Sequence, residues 1–368
     1  MLVCLSHGGS TVYESEGHAT SLAVATAKGV VFLVRDTASA AWRESHRGLT
    51  DFHVIGLAHE RISNMIVATM HDGGIAVSDD GGRTWQDRSA GVPSKNVYCV
   101  TIAYRSGRPR LYVGTEPARL YSSDDLGRSW REHTALRDVP SVSKWTFPAP
   151  PHDAHVINVT VDPTDPDRVF ACVEQGGLFR SADGGETWTE LLGFNDDVHR
   201  LMILNKDRRQ LVMPTGYGFY RSSDSGDSWQ DQSDRIQPVG YPDPMVIDPR
   251  REDVMVLAGG EADPFHWMQE KTARAHILRS TDGGLTWRKP DSGLPERFDA
   301  SFEAMALCSR PGASSVYAGN TAGEVWSSDD DGASWRRIAD GLPPVSKTIH
   351  YLILGHDLSF DKKERPNA

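Results

Sequence analysis

Four short apolar runs open on histidine: "HVIGLA" from His53, "HVINVT" from His155, "HRLMIL" from His199 and "HYLILG" from His350. Three similar runs open on Asn96 ("NVYCVT"), Tyr241 ("YPDPMV") and Glu303 ("EAMALC"). His53, Asn96, His155, His199 and Glu303 stand 32, 34, 33, 30 and 32 residues ahead of Trp85, Trp130, Trp188, Trp229 and Trp335. This spacing aligns the seven runs as equivalent positions of a repeat. The chain holds only 14 histidines, so four in one seven-membered column is a concentration. Neutral imidazoles converging from separate strands make a transition-metal site. His53, His155, His199 and His350 are the expected ligands, with Glu303 available as a fifth. Such a site with an open position suits iron or copper and O₂ chemistry. It also suits manganese or zinc as a Lewis acid in a lyase or hydrolase. A polar, water-filled channel would carry the same histidines with nothing bound.

A second column ends the following strand-like runs: Glu116 in "VGTE", Glu174 in "ACVE" and Glu261 in "AGGE". A metal-bound histidine commonly gives its other N–H to a carboxylate, and these glutamates are placed for that role. Glu303, Tyr241 and Glu174 are the candidate catalytic side chains. Two insertions add aromatics: "TALRDVPSVSKWTFPAPPHDA" and "GEADPFHWMQEKTARA". Long loops in compact domains are often functional lids. Trp145, Phe147, Phe265, His266 and Trp267 are therefore expected to roof a substrate pocket, with His71 and Tyr217 on its rim.

The elements that must position these residues follow from an internal repeat. The pattern S-x-D-x-G-x-[ST]-W starts at Ser78, Ser123, Ser181, Ser222, Ser280 and Ser328, and a worn copy, "RDTASAAW", ends at Trp42. Successive tryptophans are 43, 45, 58, 41, 58 and 48 residues apart, the period of a four-stranded propeller blade. The runs upstream of each turn are short, rich in β-branched and aromatic residues, and bounded by Gly, Pro or Asp. "NVYCVTIAY", "RLYVGT", "RLYSSD" and "WREHT" make one such set. The expectation is an all-β, single-domain, seven-bladed β-propeller over residues 1–358. The strand Ile349 to Leu354 would close the ring beside Ser21 to Thr26, and 359–368 would be a solvated tail.

The repeated turn resembles the Asp-box of the BNR-repeat family, whose propellers include sialidases, sortilin-type receptors, xyloglucan-cleaving glycosidases and photosystem assembly factors. The resemblance implies that inner strands line a central channel and begin at the face opposite the boxes. It fixes the fold rather than the activity. Asp80, Asp125, Asp183, Asp224, Asp282 and Asp330 are then structural: each carboxylate accepts turn N–H groups, and each Trp wedges between sheets. Sialidases carry an Arg-Ile-Pro element near the N-terminus, whereas "ERISN" at 60–64 lacks the proline. The expected site is similar in type to the four-His, glutamate-supported iron of propeller carotenoid oxygenases, without kinship.

A net charge of −11 argues against nucleic acid as a partner, and no apolar run is long enough to span a membrane as a helix. Cys4, Cys99, Cys172 and Cys308 lie far apart without a CxxC, which reads as free thiols in a reducing cytoplasm. The leading expectation is a metal-dependent enzyme acting on a small organic substrate. One alternative is a metal-free carbohydrate-active hydrolase or lyase that uses the channel carboxylates. Another is a non-catalytic protein-binding scaffold.

Overall fold

The computed structural model describes residues 1–356. They form a seven-bladed β-propeller, one sheet per blade. Blade 2 shows the pattern: His53–Glu60, Met65–His71, Gly74–Ser78 and Gln86–Asp87 run antiparallel from the axis outward. Blades 3, 4 and 5 repeat it with inner strands Asn96–Arg105, His155–Val161 and Met202–Ile203. Blade 6 has three strands, from Tyr241–Ile247 outward, and its fourth position is reduced to an Arg279–Arg288 bridge. The connections into each inner strand lie at one face, called upper here. The Asp-boxes lie at the other.

The box chemistry is as expected. Asp80 Oδ1 accepts from Ser78 Oγ, Arg83 N and Thr84 N, and its Oδ2 accepts from Thr84 Oγ1. Ser78 Oγ in turn accepts from Gly82 N. Gly82 has φ +85°, and a Cβ there would meet the Phe32 ring of the preceding blade at 2.0 Å. The turn therefore needs glycine for its backbone and for the blade-to-blade contact. At Asp183, Thr187 hydroxyl and N–H donors, with the Ser181 hydroxyl, hold the carboxyl down at about 2. Trp335 is buried and donates its indole N–H to Gly332 O.

Ring closure differs from expectation. The inner position of blade 1 is taken by Leu2–Leu5, paired in parallel with Ser21–Thr26. His350–Ile353, expected as the closing strand, is a short helix. An apolar run this short does not distinguish strand from helix, and "LVCL" competes for the same edge. After Leu5 the chain crosses the channel. Gly8 N donates to Ile55 O, Ser10 N to Leu57 O, and Gly8 O accepts from Val100 N. Val12–Glu14 then adds in parallel to Phe302–Arg310, the inner strand of blade 7. This path requires two glycines: a Cβ at Gly8 would lie 1.8 Å from Tyr98 O, and one at Gly9 1.9 Å from Leu57 O. The tail expected over 359–368 lies outside the described residues.

Two substitutions test this packing by urea unfolding. Trp335→Ala should cost about 3–5 kcal/mol, the usual range for a large buried aromatic. Gly8→Ala should cost about 1–3 kcal/mol through overpacking of the channel. A Gly8→Ala protein as stable as its parent would show that the segment after Leu5 does not run through the channel.

Candidate functional site

The upper ends of the inner strands set the site. His53 pairs across the ladder with His71, Asn96 with Glu116, and His155 with Glu174. Just inside each of these ends the register slips, leaving out Ile55, Tyr98, Ile157, Asp243 with Pro244, and Glu303. A bulge re-aims the side chain it carries. Three of these residues, Tyr98, Asp243 and Glu303, supply polar groups to the channel. Tyr98 OH donates to Glu116 Oε2 at 3.1 Å, and Asn96 Nδ2 donates to Glu116 Oε1 at 3.1 Å.

A strap of residues 343–350 lies across the upper mouth, and Lys347 is fully buried within it. Its Nζ lies 2.8 Å from Asp243 Oδ2 and 3.2 Å from Glu174 Oε1. Glu303 anchors the strap: Oε2 accepts from Ser346 Oγ and Lys347 N, each at 2.8 Å, and Oε1 lies 2.6 Å from His350 Nδ1.

The four expected metal ligands do not share a centre. His53 Nε2 meets Ser346 O at 2.7 Å, and His350 pairs with Glu303. His155 Nε2 meets Glu174 Oε2 at 2.8 Å, and His199 Nδ1 donates to Pro242 O at 2.8 Å. Of the four, only His199 joins a set able to grip a cation. Glu174, Asp197 and His199 offer ligand atoms within 4.8 Å of one another. Lys347 already brings positive charge to that set, so the residues do not fit a four-histidine iron, copper, manganese or zinc site.

The electrostatics separate two neighbouring carboxyls. Burial opposes the charge of Glu174, yet the Lys347 ammonium and His155 hold it well below the usual carboxylate range. Burial pushes Asp197 up to about 6; His199 opposes this, and the Glu174 charge adds to it. Asp197 Oδ1 has no hydrogen-bond partner among the described residues. Burial also opposes ionisation of Asp243 and Glu303, but Lys347 dominates the fall at Asp243 and His350 the fall at Glu303. Burial disfavours the Lys347 charge, and Asp243 and Glu174 more than reverse that.

The other expected residues divide. Trp267, on the helix Pro264–Glu270, packs at 5.4 Å against both Tyr241 and His350. Phe147 stands edge-on to His155 at 4.8 Å. These two rings lie against side chains of the upper channel. Trp145 packs on Phe179 within blade 4, Phe265 is exposed, and His266 turns to Asp263. Glu261 supports no column histidine; it pairs with His276. His71 meets Tyr98 OH, and Tyr217 OH donates to Asp263. Tyr241 is buried beneath Trp267, and Glu303 spends both oxygens on the strap. Sequence reasoning missed Lys347, Asp243, Asp197 and Tyr98. Asp243 and Tyr98 stand two residues after Tyr241 and Asn96, a signal that a bulge search would have used.

A family profile described as Sortilin-Vps10 (sortilin, neurotensin receptor 3) matches residues 176–310. A xyloglucanase from Paenibacillus sp is 27% identical over 297 residues, covering 69% of this chain and 28% of its own length. The photosystem II assembly lipoprotein Ycf48 of Synechococcus sp. (strain CC9902) is 23% identical, covering 80% of this chain and 77% of its own. Among solved structures, the GH74 enzyme of Niastella koreensis superposes with TM-score 0.63 at 17% identity, over 91% of this chain and 55% of that one. The chain thus spans under a third of that xyloglucanase. Its fold is that of a seven-bladed Asp-box propeller, and the resemblance to BNR-repeat proteins is at the level of the fold. The xyloglucanase relatives overturn the expectation of a metal-dependent enzyme acting on a small organic substrate.

Replacing Lys347 by Met should cost about 3–5 kcal/mol at pH 7, because it leaves buried carboxylates uncompensated. In the parent, Glu174 and Asp243 have depressed pKa values. Their contribution is present above the ordinary carboxylate range and lost as pH falls. Without the ammonium, burial alone raises both groups, so the deficit of Lys347→Met should shrink between pH 7 and pH 5. Urea titrations at the two pH values check the sign. An unchanged deficit would mean that Lys347 contributes by packing rather than by charge.

Proposed function

We propose that the chain is a carbohydrate-active hydrolase in which Asp197 is the general acid and Glu174 the partner carboxylate. The observation that carries this reading is the pairing of two adjacent buried carboxyls in opposed surroundings, Glu174 beside Lys347 and Asp197 with Oδ1 unpartnered among the described residues. Asp197 is raised to about 6 while Glu174 is held ionised. Environments that push two carboxyls apart in this way define an acid and its partner. Asp197 would protonate the leaving glycosidic oxygen, and Glu174 would act on the anomeric carbon. Their nearest oxygens lie within 4.8 Å. That favours the close-set, retaining arrangement, for which carboxyl separations are about 5–5.5 Å.

The xyloglucanase relatives support a β-glucan of the xyloglucan kind as substrate. Lys347 covers Glu174, so access requires the strap of residues 343–350 to lift. Glu303, His350 and Tyr241, which hold the strap and its roof, are positioning residues in this scheme. Four buried free cysteines support a reducing compartment.

A second reading is a non-catalytic scaffold. It is favoured by the closed mouth, beside which Phe265, Met268, Ile349 and Leu352 are exposed. Reducing-sugar release from xyloglucan by the parent, Glu174→Gln and Asp197→Asn proteins separates the two. Each variant should lose at least about 10²-fold in rate, the lower end for loss of a general acid or base. Hydrolysis that persists in both would remove the pair from the mechanism; none in the parent would leave the scaffold. Because Asp197 must carry its proton, activity should fall as pH rises through about 6. A rate that climbs from pH 6 to pH 8 would contradict the assignment of Asp197 as acid.

A further inference from the structure

We propose that the lower, Asp-box side of the channel holds a second site, for an amphipathic monocarboxylate whose head group binds Arg200. The site does not rest on the hydrolase reading, since it opens on the opposite face from Asp197. A cavity of about 300 Å³ lies between the inner strands of blades 4, 5 and 6 and the crossing segment Gly9 to Val12. Its walls are largely aliphatic: Val12, Val161, Met202, Ile203, Met245 and Ile247. Asn205, Pro249 and Glu252 stand at its mouth, and Arg200 lies at the inner end.

Arg200 is the feature that points to a ligand. It is only 9% exposed. One N–H donates to His7 O. Among the described residues it makes no other hydrogen bond, and no carboxylate lies within ion-pair distance. A guanidinium carries five N–H donors and almost never goes unpaired when buried. Of the two other buried arginines, Arg35 has Asp329 at 3.8 Å and two carbonyl acceptors, and Arg279 has Asp291 at 3.9 Å. Asp243 acts on Arg200 through space, but its oxygens face Lys347 and His7.

The chemistry selects the ligand class. A planar carboxylate matches the guanidinium fork. Asp243 and Glu252 nearby, in a chain of net charge −11, oppose a dianion such as phosphate. From Arg200 to Asn205 the inner edge of blade 5 extends roughly 16 Å at strand rise, enough for an extended aliphatic tail along Met202 and Ile203. The result is one charged anchor at the end of an apolar sleeve.

Isothermal titration with sodium octanoate and with 1-octanol, both below aggregation, tests the site. Octanoate should bind saturably at one site per chain, and octanol at least tenfold more weakly. Arg200→Gln should weaken octanoate at least tenfold and leave octanol unchanged. Since Arg200 also holds the crossing segment, Met202→Trp gives a second variant: it fills the sleeve, leaves Arg200 in place, and should abolish binding of both. Equal affinity for acid and alcohol, octanoate binding that survives Met202→Trp, or no saturable binding would each overturn the proposal.

Discussion

The upper channel depends on one ammonium in a buried nest of carboxylates. Glu174 comes from blade 4, Asp243 from blade 6 and Glu303 from blade 7, and all three are buried. Leaving such charges unpaired would cost several kcal/mol each. Lys347 Nζ answers the first two, while the Lys347 N–H and the Ser346 hydroxyl answer the third. The same strap takes a hydrogen bond from His53 of blade 2 at Ser346 O. One short segment therefore neutralises the channel and ties blades on opposite sides of the ring. Asp197 lies at the edge of this nest, where burial, joined by the charge of Glu174, raises its proton affinity.

The residues that reach the axis are chosen by a repeated backbone irregularity. A regular strand sends alternate side chains to its two faces. The inner strands break that alternation one or two residues inside their upper ends, and Tyr98, Asp243 and Glu303 are the residues left out of the ladders. The column of first residues forms the rim instead. Its histidines serve as hydrogen-bond partners for nearby carboxylates and carbonyls.

This explains what the sequence disclosed. Seven blades were legible because the box is local chemistry: Ser78, Asp80, Gly82 and Thr84 lie within one turn and bond to one another. The column was legible because strand starts keep a near-constant distance to the box tryptophan. In the ladders Asn96 stands opposite Glu116 and His155 opposite Glu174, a pairing that the spacing alone did not specify. What four histidines in a column would bind was not legible. Three of the four imidazoles find their partner elsewhere in the ring: Pro242 O for His199, Ser346 O for His53 and Glu303 for His350. Lys347 stands in "PPVSKTIH", beside an apolar run that reads as strand. Nothing local shows that Leu2–Leu5 has already filled the edge this run would need.

The crossing segment and the strap meet at the same carboxylate. Asp243 Oδ1 lies 3.6 Å from His7 Nδ1, on the segment that crosses the channel after Leu5, and its Oδ2 lies 2.8 Å from Lys347 Nζ. Glu303 shows the same division: its backbone carbonyl meets His7 Nδ1 at 3.0 Å, and its side chain holds the strap. The crossing segment can pass at this depth only because Gly8 and Gly9 lack a Cβ, and the strap can enter from above only because a cation answers the buried charge. Each segment closes part of the bulged region of blades 6 and 7 that the other leaves open. Closure of the ring and completion of the charged nest therefore share Asp243 and Glu303. The histidine column marked its place without revealing its chemistry.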